Sequence, residues 1–413
     1  MKKICVIGLG YVGTPLLLSL KNKGFEVFGL DKSINRINDL RNGIDLHKEL
    51  DDGSIETLKN IVFNSFIDIP SEIDIYIVTV PTPIDESNNP DMQSLITVTE
   101  ALSKIIKKGN TIIYESTVYP GTTEEICLPI LEKSGLSFNK DFFLGYSPER
   151  LSPGIGGKKL NETVKIISAS NKKTLELLKE IYGSIIDEGL HFAESIKVAE
   201  AAKITENIQR DVNIALVNEL FMLFESMGIN TNQVINAAST KFNFHYYIQG
   251  LVGGHCIGVD PYYLIYKSKA QKLNARLIET ARDVNESLVN YLVVEILNES
   301  KRVNLDTKEM NLLFIGATFK EDCPDTRNSK SIELIKKLKL HEINVDVYDP
   351  LISENFENIS FIRSKKDLKK DFYDTIFYSV CHREIKELGH DYFKKFHNGK
   401  MKNFDYKRIF IND

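Results

Sequence analysis

The first thirteen residues constrain the fold more than any other stretch. Lys3–Ile7 is a short, β-rich apolar run, and Gly8-Leu9-Gly10-Tyr11-Val12-Gly13 follows it directly and opens a helical pattern at Thr14 to Lys23. Glycines at this spacing suit a tight strand-to-helix turn, close approach of a pyrophosphate and close packing of the helix on the strand. The N–H groups of the first helical turn then face the turn without intrahelical partners, as a phosphate site requires. Asp31 ends a second β-rich run, Glu26 to Leu30, at roughly the spacing of an acid that binds a ribose 2′-OH. A 2′-phosphate would meet like charge there, so the reading is NAD rather than NADP. Gly8, Gly10, Tyr11, Val12, Gly13, Asp31 and Arg36 form the expected cofactor set, with Thr82 and Thr117 from later strand ends. The bland alternative is the same turn without a ligand.

Beyond this turn, Ile61 to Phe63, Ile75 to Val80 and Thr111 to Tyr114 also read as strands separated by helical patterns, which predicts a parallel sheet wound with helices. From Ser195 to Met227 there is no glycine or proline and the apolar spacing is helical; a second long helical pattern runs from about Leu273 to Ser300. Strand–helix alternation returns at Leu312 to Gly316, Ile332 to Leu340 and Val345 to Tyr348. The expected fold class is α/β: an N-terminal Rossmann domain (1–190), a helical middle domain with a long central helix (191–302) and a C-terminal Rossmann-like α/β domain (303–413).

Composition narrows the partners. With 42% hydrophobic and 26% charged residues, the 413-residue chain reads as globular, and a formal net charge of −5 gives no basic footprint for nucleic acid. No apolar stretch is long enough to span a membrane. The five cysteines, Cys5, Cys127, Cys256, Cys323 and Cys381, are scattered and form no CxxC pair. That argues against a disulfide framework and a zinc site, and for a cytoplasmic setting. The histidines show no metal-ligand spacing, and no metal is expected.

Further segments appear in order: Val80-Pro81-Thr82-Pro83, Glu115-Ser116-Thr117, Pro120-Gly121-Thr122-Thr123, Ser147-Pro148-Glu149-Arg150, Gly253-Gly254-His255-Cys256-Ile257-Gly258-Val259-Asp260 and Phe319-Lys320. Together they resemble the UDP-glucose/GDP-mannose dehydrogenase family over nearly the whole chain. Pro153-Gly154 after the Ser-Pro-Glu-Arg segment, His255 before the cysteine, and the run Gly250 to His255 resemble the branch acting on UDP-N-acetylhexosamines. The resemblance implies oxidation of a sugar CH2OH to a carboxylate, with UDP-N-acetylglucosamine first among substrates. UDP-N-acetylgalactosamine, UDP-N-acetylmannosamine and UDP-glucose are alternatives. A homodimer is implied, built on the long central helix. The chain departs from the family pattern at Ile248 and Gln249, where relatives often carry Arg and Pro, and at Lys330, where many carry Pro.

The residues themselves allow this chemistry. A thiolate adds readily to an aldehyde, and the thiohemiacetal can lose a hydride to become a thioester; the resemblance makes Cys256 that nucleophile, whereas an arbitrary cysteine is more often a buried hydrophobe. Lys203 and Asn207 lie four apart on the long helical pattern and share a face. Read alone they are a solvated helix face; the resemblance assigns them to alkoxide or oxyanion stabilisation. By the same resemblance Asp260 positions water for thioester hydrolysis, although an Asp before Pro261 also suits a turn. Glu149 and Thr117 follow strand ends and are assigned to proton transfer and hydroxyl orientation. Arg150, Gly253, Lys320 and Arg327 join Glu149, Lys203 and Asn207 in the expected substrate set, the cations facing the diphosphate. The chemistry is expected between the terminal α/β domains. The rivals are a two-electron β-hydroxyacid-type dehydrogenase on the same N-terminal fold, and a non-catalytic NAD- or nucleotide-binding regulator.

Overall fold

The computed structural model describes residues 2–45, 52–69, 72–150, 160–352, 355–356 and 358–410. Pro153 and Gly154 therefore lie outside the described residues. The chain packs as two compact units, residues 1–206 with 262–273, and residues 207–261 with 274–413.

The first unit is built on one eight-stranded sheet. In chain order its strands are β1 (Lys3–Ile7), β2 (Glu26–Leu30), β3 (Val62–Phe63), β4 (Ile75–Val78), β5 (Thr111–Tyr114), β6 (Phe143–Tyr146), β7 (Lys165–Ala169) and β8 (Leu190–Phe192). Their spatial order is β3-β2-β1-β4-β5-β6-β7-β8, all neighbours pairing in parallel except β6 with β7. β4 and β5 are buried at every residue, the pattern of parallel strands covered on both faces. The covering helices are α1 (Gly13–Asn22), α2 (Ile34–Arg41), α3 (Asp52–Glu56), α4 (Gln93–Ser103), α5 (Leu128–Leu131) and α6 (Lys172–Ile185). One apolar cluster joins Leu16, Leu17 and Leu20 of α1 and Leu178 and Ile181 of α6 to Ile4, Val6 and Ile77 of the sheet. The chain order reverses between β1 and β4, which makes the carboxyl ends of those strands the ligand-binding edge of such a sheet. The glycine turn, Asp31, the 79–82 segment, Thr117 and Glu149 all follow parallel strands on that edge.

Helix α7 (Ile196–Ser226) is unbroken for 31 residues, as its lack of glycine and proline predicts. After it come α8 (Thr231–Ala238), α9 (Asp260–Ala270) and α10 (Arg276–Arg302). In the second unit the buried face of α7 is polar. Asp211 accepts hydrogen bonds from Arg282 (2.6 Å) and Asn285 (2.7 Å) of α10, and Asn285 in turn accepts from Asn218 (2.8 Å). Asn218 also accepts from the Gly250 N–H and donates to its carbonyl (2.8 and 3.0 Å). This chain of buried bonds fixes the 249–259 segment against α7.

The C-terminal sheet of that unit has β9 (Asn311–Ile315), β10 (Asn344–Tyr348), β11 (Phe361–Ile362) and β12 (Thr375–Tyr378) in the order β11-β10-β9-β12, all parallel. Its helices are α11 (Lys330–Leu340) and α12 (Arg383–Lys394). Leu312 and Phe314 pack with Leu288, Leu292, Ile335 and Leu338 on one face, while Leu313 and Ile315 pack with Tyr378 and Phe393 on the other.

This smaller sheet repeats the opening of the chain atom for atom at its first turn. Gly8 N–H donates to Leu30 O at 2.8 Å and Leu9 N–H to the Asp31 carboxylate at 2.8 Å. Gly316 N–H donates to Tyr348 O at 2.9 Å and Ala317 N–H to the Asp349 carboxylate at 2.7 Å. Both glycines hold positive φ, +98° and +80°, and a Cβ on either would run into backbone of the strand end beyond.

Candidate active site

The glycine turn has the form of a dinucleotide cradle. A Cβ at Gly13 would stand 1.9 Å from the Gly8 carbonyl oxygen, so only glycine lets α1 start this close to the strand. A Cβ at Gly10 would meet nothing within 4 Å. No contact within the protein demands glycine there; an approaching pyrophosphate does. Helix α1 has Val12 at its N-cap, no side-chain cap and no acid in its first turn, so its leading N–H groups are left to an anion. Asp31 is partly exposed, with one oxygen on Leu9 N–H and the other on Ser33 N–H, each at 2.8 Å. Both oxygens keep lone pairs for ribose hydroxyls. Arg36 is buried: Nε donates to Leu9 O (2.7 Å) and Nη2 to Thr14 Oγ1 (3.1 Å), while Nη1 has no hydrogen-bond partner. These residues fit an adenine dinucleotide, with Arg36 bracing the turn from behind.

The next strand ends interlock. Thr82 Oγ1 donates to Thr117 O (2.7 Å) and Tyr263 donates to Thr82 O. Thr82 and Thr117 are thereby brought together, as the cofactor set expected. Glu149 follows β6, with Oε1 accepting from Arg150 N–H (2.6 Å) and Oε2 3.5 Å from Lys165 Nζ. The Arg150 guanidinium is engaged with Glu206 of α7 (2.8 Å) and with Val164 O (2.7 Å). Its charge is therefore already countered by a carboxylate. The Pro120-Gly121-Thr122-Thr123 motif serves α7: Gly121 N–H (2.5 Å) and Thr123 N–H (2.9 Å) both donate to the carboxylate of Glu200, which is fully buried. Burial pushes the Glu200 carboxyl up to about 7 against those hydrogen bonds. Sequence reasoning missed Glu200, since one acid in a long helical pattern carries no signal of burial.

In the second unit, Cys256 is exposed, while Cys5, Cys127, Cys323 and Cys381 are buried. Burial pushes the Cys127 and Cys381 thiols up to about 12, far from nucleophilic use at neutral pH. The Cys256 carbonyl accepts from Val259 N–H (3.0 Å) and Asp260 N–H (2.8 Å), which places the residue one turn ahead of α9. A helix start favours negative charge, and so a thiolate. Asp260 is buried in the first turn of α9, and Asn207 Nδ2 donates to its carboxylate at 2.6 Å. Asn207 and Asp260 are thus joined, and Lys203, also buried, lies one turn before Asn207 on α7.

The cysteine segment is bolted to the loop after β9. Gly254 N–H donates to Asn328 O (3.0 Å) and Asn328 Nδ2 to Gly254 O (2.8 Å). A Cβ at Gly253 would lie 2.3 Å from that same Asn328 oxygen. Gly253 is thus a close-packing glycine. His255 Nε2 lies 3.1 Å from Asp325 Oδ2, and its ring meets Phe319 edge-on. Burial raises the Asp325 carboxyl, but bonds from His255 and Arg327 outweigh it and hold the acid well below the usual range. Arg327, expected at a diphosphate, grips Asp325 at 2.7 Å while more than half exposed. Lys320 is half-buried in the same loop. Among the departures, Gln249 is fully buried and donates to Tyr406 O (2.6 Å) and Asn232 Oδ1 (3.0 Å), anchoring the segment as a proline could not. Lys330 pairs with Glu286 and Glu333, tying α11 to α10. Among the described residues, no group of three or more His, Cys, Asp or Glu side chains is placed to hold a metal ion.

Three family models match consecutive stretches. They are the NAD-binding (residues 2–186), central (197–287) and UDP-binding (313–412) domains of the UDP-glucose/GDP-mannose dehydrogenase family. The chain belongs to this family. It is an NAD-dependent UDP-sugar dehydrogenase, with the glycine turn in its NAD-binding domain and the loop carrying Lys320 and Arg327 in its UDP-binding domain. It is 42% identical to the UDP-N-acetyl-D-glucosamine 6-dehydrogenase of Pseudomonas aeruginosa, over 100% of this chain and 98% of the relative. It is 41% identical to the enzyme of the same name from Salmonella typhi, over 98% and 96%. The solved UDP-D-ManNAc dehydrogenase of Pyrococcus horikoshii superposes with a TM-score of 0.86 at 26% identity, covering 100% of this chain and 96% of that one. No helix among the described residues is long and apolar enough to cross a membrane.

Proposed function

We propose that this dehydrogenase oxidises C6 of a UDP-N-acetylhexosamine, UDP-N-acetylglucosamine first, to the uronic acid, supplying a precursor for surface polysaccharide. The higher identity to UDP-N-acetyl-D-glucosamine 6-dehydrogenases supports that choice over UDP-N-acetylmannosamine, UDP-N-acetylgalactosamine and UDP-glucose. Residues 1–190 would hold NAD, 191–302 form the helical centre and 303–413 hold UDP, with Lys320 and Arg327 toward the diphosphate.

The observation that carries the chemistry is the exposed Cys256 beside the start of α9, with four other thiols buried. Bound NAD supplies the hydride acceptor for each of two oxidations. The residues of this chain do the rest. Glu149, with Thr117 orienting the hydroxyl, takes the proton released as the alcohol becomes an aldehyde. The Cys256 sulfur then adds to the aldehyde carbon, and the oxyanion gains a proton to give a thiohemiacetal. Loss of that proton and of a hydride leaves a thioester. Water held by Asp260 and Asn207 attacks it, Lys203 stabilising the tetrahedral oxyanion, and the carbon–sulfur bond breaks to return the thiol and a carboxylate. The test is NADH release from purified enzyme with UDP-GlcNAc, UDP-GalNAc, UDP-ManNAc and UDP-glucose side by side. We expect the highest kcat/KM for UDP-GlcNAc and about two NADH per sugar. One NADH per sugar would remove the thioester route, and preference for another sugar would remove the specificity.

A homodimer completes this reading. Leu216, Leu223 and Met227, at 56%, 47% and 63% exposure, form an apolar stripe on one side of α7. A second copy of the chain is the proposed cover. Leu223→Asp should halve the sedimentation mass; a wild-type monomer at micromolar concentration would contradict the assembly.

A further inference from the structure

The first unit contains a charged cluster that the reaction scheme leaves unused. Lys165 on β7 is 3% exposed. Its Nζ lies 2.7 Å from Glu115 Oε2, at the end of β5, and 3.5 Å from Glu149 Oε2, beyond β6. Tyr182 of α6 donates to the other Glu115 oxygen, and the lysine also sits 5.4 Å from the centre of the Tyr182 ring. The other charged groups at this corner are Arg150 and Glu206, which pair with each other. One cation thus serves two carboxylates in a dry environment.

The two acids differ. Glu115 is 1% exposed, and both its oxygens are taken by Lys165 and Tyr182. The Glu149 side chain is 13% exposed, with one oxygen on Arg150 N–H and the other on Lys165. A carboxylate gripped at both oxygens keeps one orientation, and its remaining lone pairs point in fixed directions. Burial works against the Lys165 charge, but the two carboxylates outweigh it and hold the ammonium pKa above its ordinary value. Burial likewise raises the Glu115 carboxyl.

We infer that Lys165 is a positioning residue for catalysis: it aims Glu149 and keeps it ionised to accept the substrate proton, with Glu115 and Tyr182 holding the lysine in place. The inference rests on the proton-transfer role proposed for Glu149.

Removing only the lysine leaves two facing carboxylates, so Lys165→Met risks failing to fold. The E115Q/K165M pair removes the buried charges together while still depriving Glu149 of its cation, and K165R keeps the charge. The readout is the pH dependence of kcat and kcat/KM from about pH 5 to about pH 9 with NAD and UDP-GlcNAc. The expected result for E115Q/K165M is an acidic limb moved up by about one pH unit or more, with kcat reduced far more than KM is raised. K165R should return the limb toward its wild-type position. An E115Q/K165M enzyme that folds, by its melting transition, and keeps the wild-type limb overturns the inference, as does a loss uniform across pH. Glu149→Gln separates the two claims, because undiminished kcat there would remove the Glu149 role itself.

Discussion

Cys256→Ser is expected to lower uronate formation on the order of 10³-fold or more, because it removes the covalent intermediate on which the second oxidation depends. A serine hydroxyl is far less ionised than a thiol near neutral pH, and it adds to an aldehyde without giving a readily hydrolysed thioester. The first oxidation does not need the sulfur. The variant should therefore still bind NAD and UDP-sugar and release close to one NADH per active site in a first turnover. The remaining cysteines offer no rescue, since all four are buried and two have thiols held near a pKa of about 12. The measurement pairs NADH absorbance with mass spectrometry of the sugar product. Uronate production by Cys256→Ser at the wild-type rate would end the nucleophile assignment.

The same prediction bears on the segment around the thiol. Gly253 and Gly254 press on Asn328, His255 on Asp325, and Asn218 grips Gly250. The thiol is therefore presented by a segment fastened on two sides, to α7 and to the loop after β9. A preorganised nucleophile of this kind loses no entropy of loop ordering during reaction.

The parts of this arrangement that could be read from the sequence are those in which a single residue type answers a local demand. The glycine turn and Asp31 form one local unit, and β1, β2 and β5 occur at Lys3–Ile7, Glu26–Leu30 and Thr111–Tyr114 as expected. The long helix differs from its expected span by a residue at each end. The strands β6, β7 and β8 were not anticipated. Each is three to five residues long, and β7 opens with a lysine, so its pattern looks like an exposed edge. That lysine is instead buried because Glu115, some fifty residues earlier, waits across the sheet, a pairing with no local trace. Glu200 escaped notice for the same reason: its partners are backbone N–H groups of another segment. Arg150 and Arg327 were read as free cations for an anionic substrate, whereas each is held by a carboxylate, Glu206 and Asp325. Charge in sequence says nothing about which neighbour neutralises it.

Lys203→Ala should slow kcat by about 10²- to 10³-fold while raising KM for the UDP-sugar only a few-fold. Lys203 is 7% exposed on α7, and the polar face of that helix continues through Asn207, Asp211 and Asn218. A lysine kept out of water meets developing negative charge in a low-dielectric setting, where its attraction is much stronger than in solvent. That attraction grows as the alkoxide or tetrahedral oxyanion forms, so the loss falls on kcat more than on binding. Lys203→Arg should rescue little, because the planar guanidinium is bulkier and does not reproduce a compact point charge on a flexible stem. Asn207 provides the internal comparison: its amide holds Asp260 at 2.6 Å, so Asn207→Ala should act on thioester hydrolysis and let acyl-enzyme accumulate. Lys203→Ala should instead slow the first hydride release seen in a single turnover. A Lys203→Ala enzyme with normal first-turnover NADH release and a KM raised by the full loss in kcat/KM would make this lysine an anchor for substrate, with no part in the chemical step.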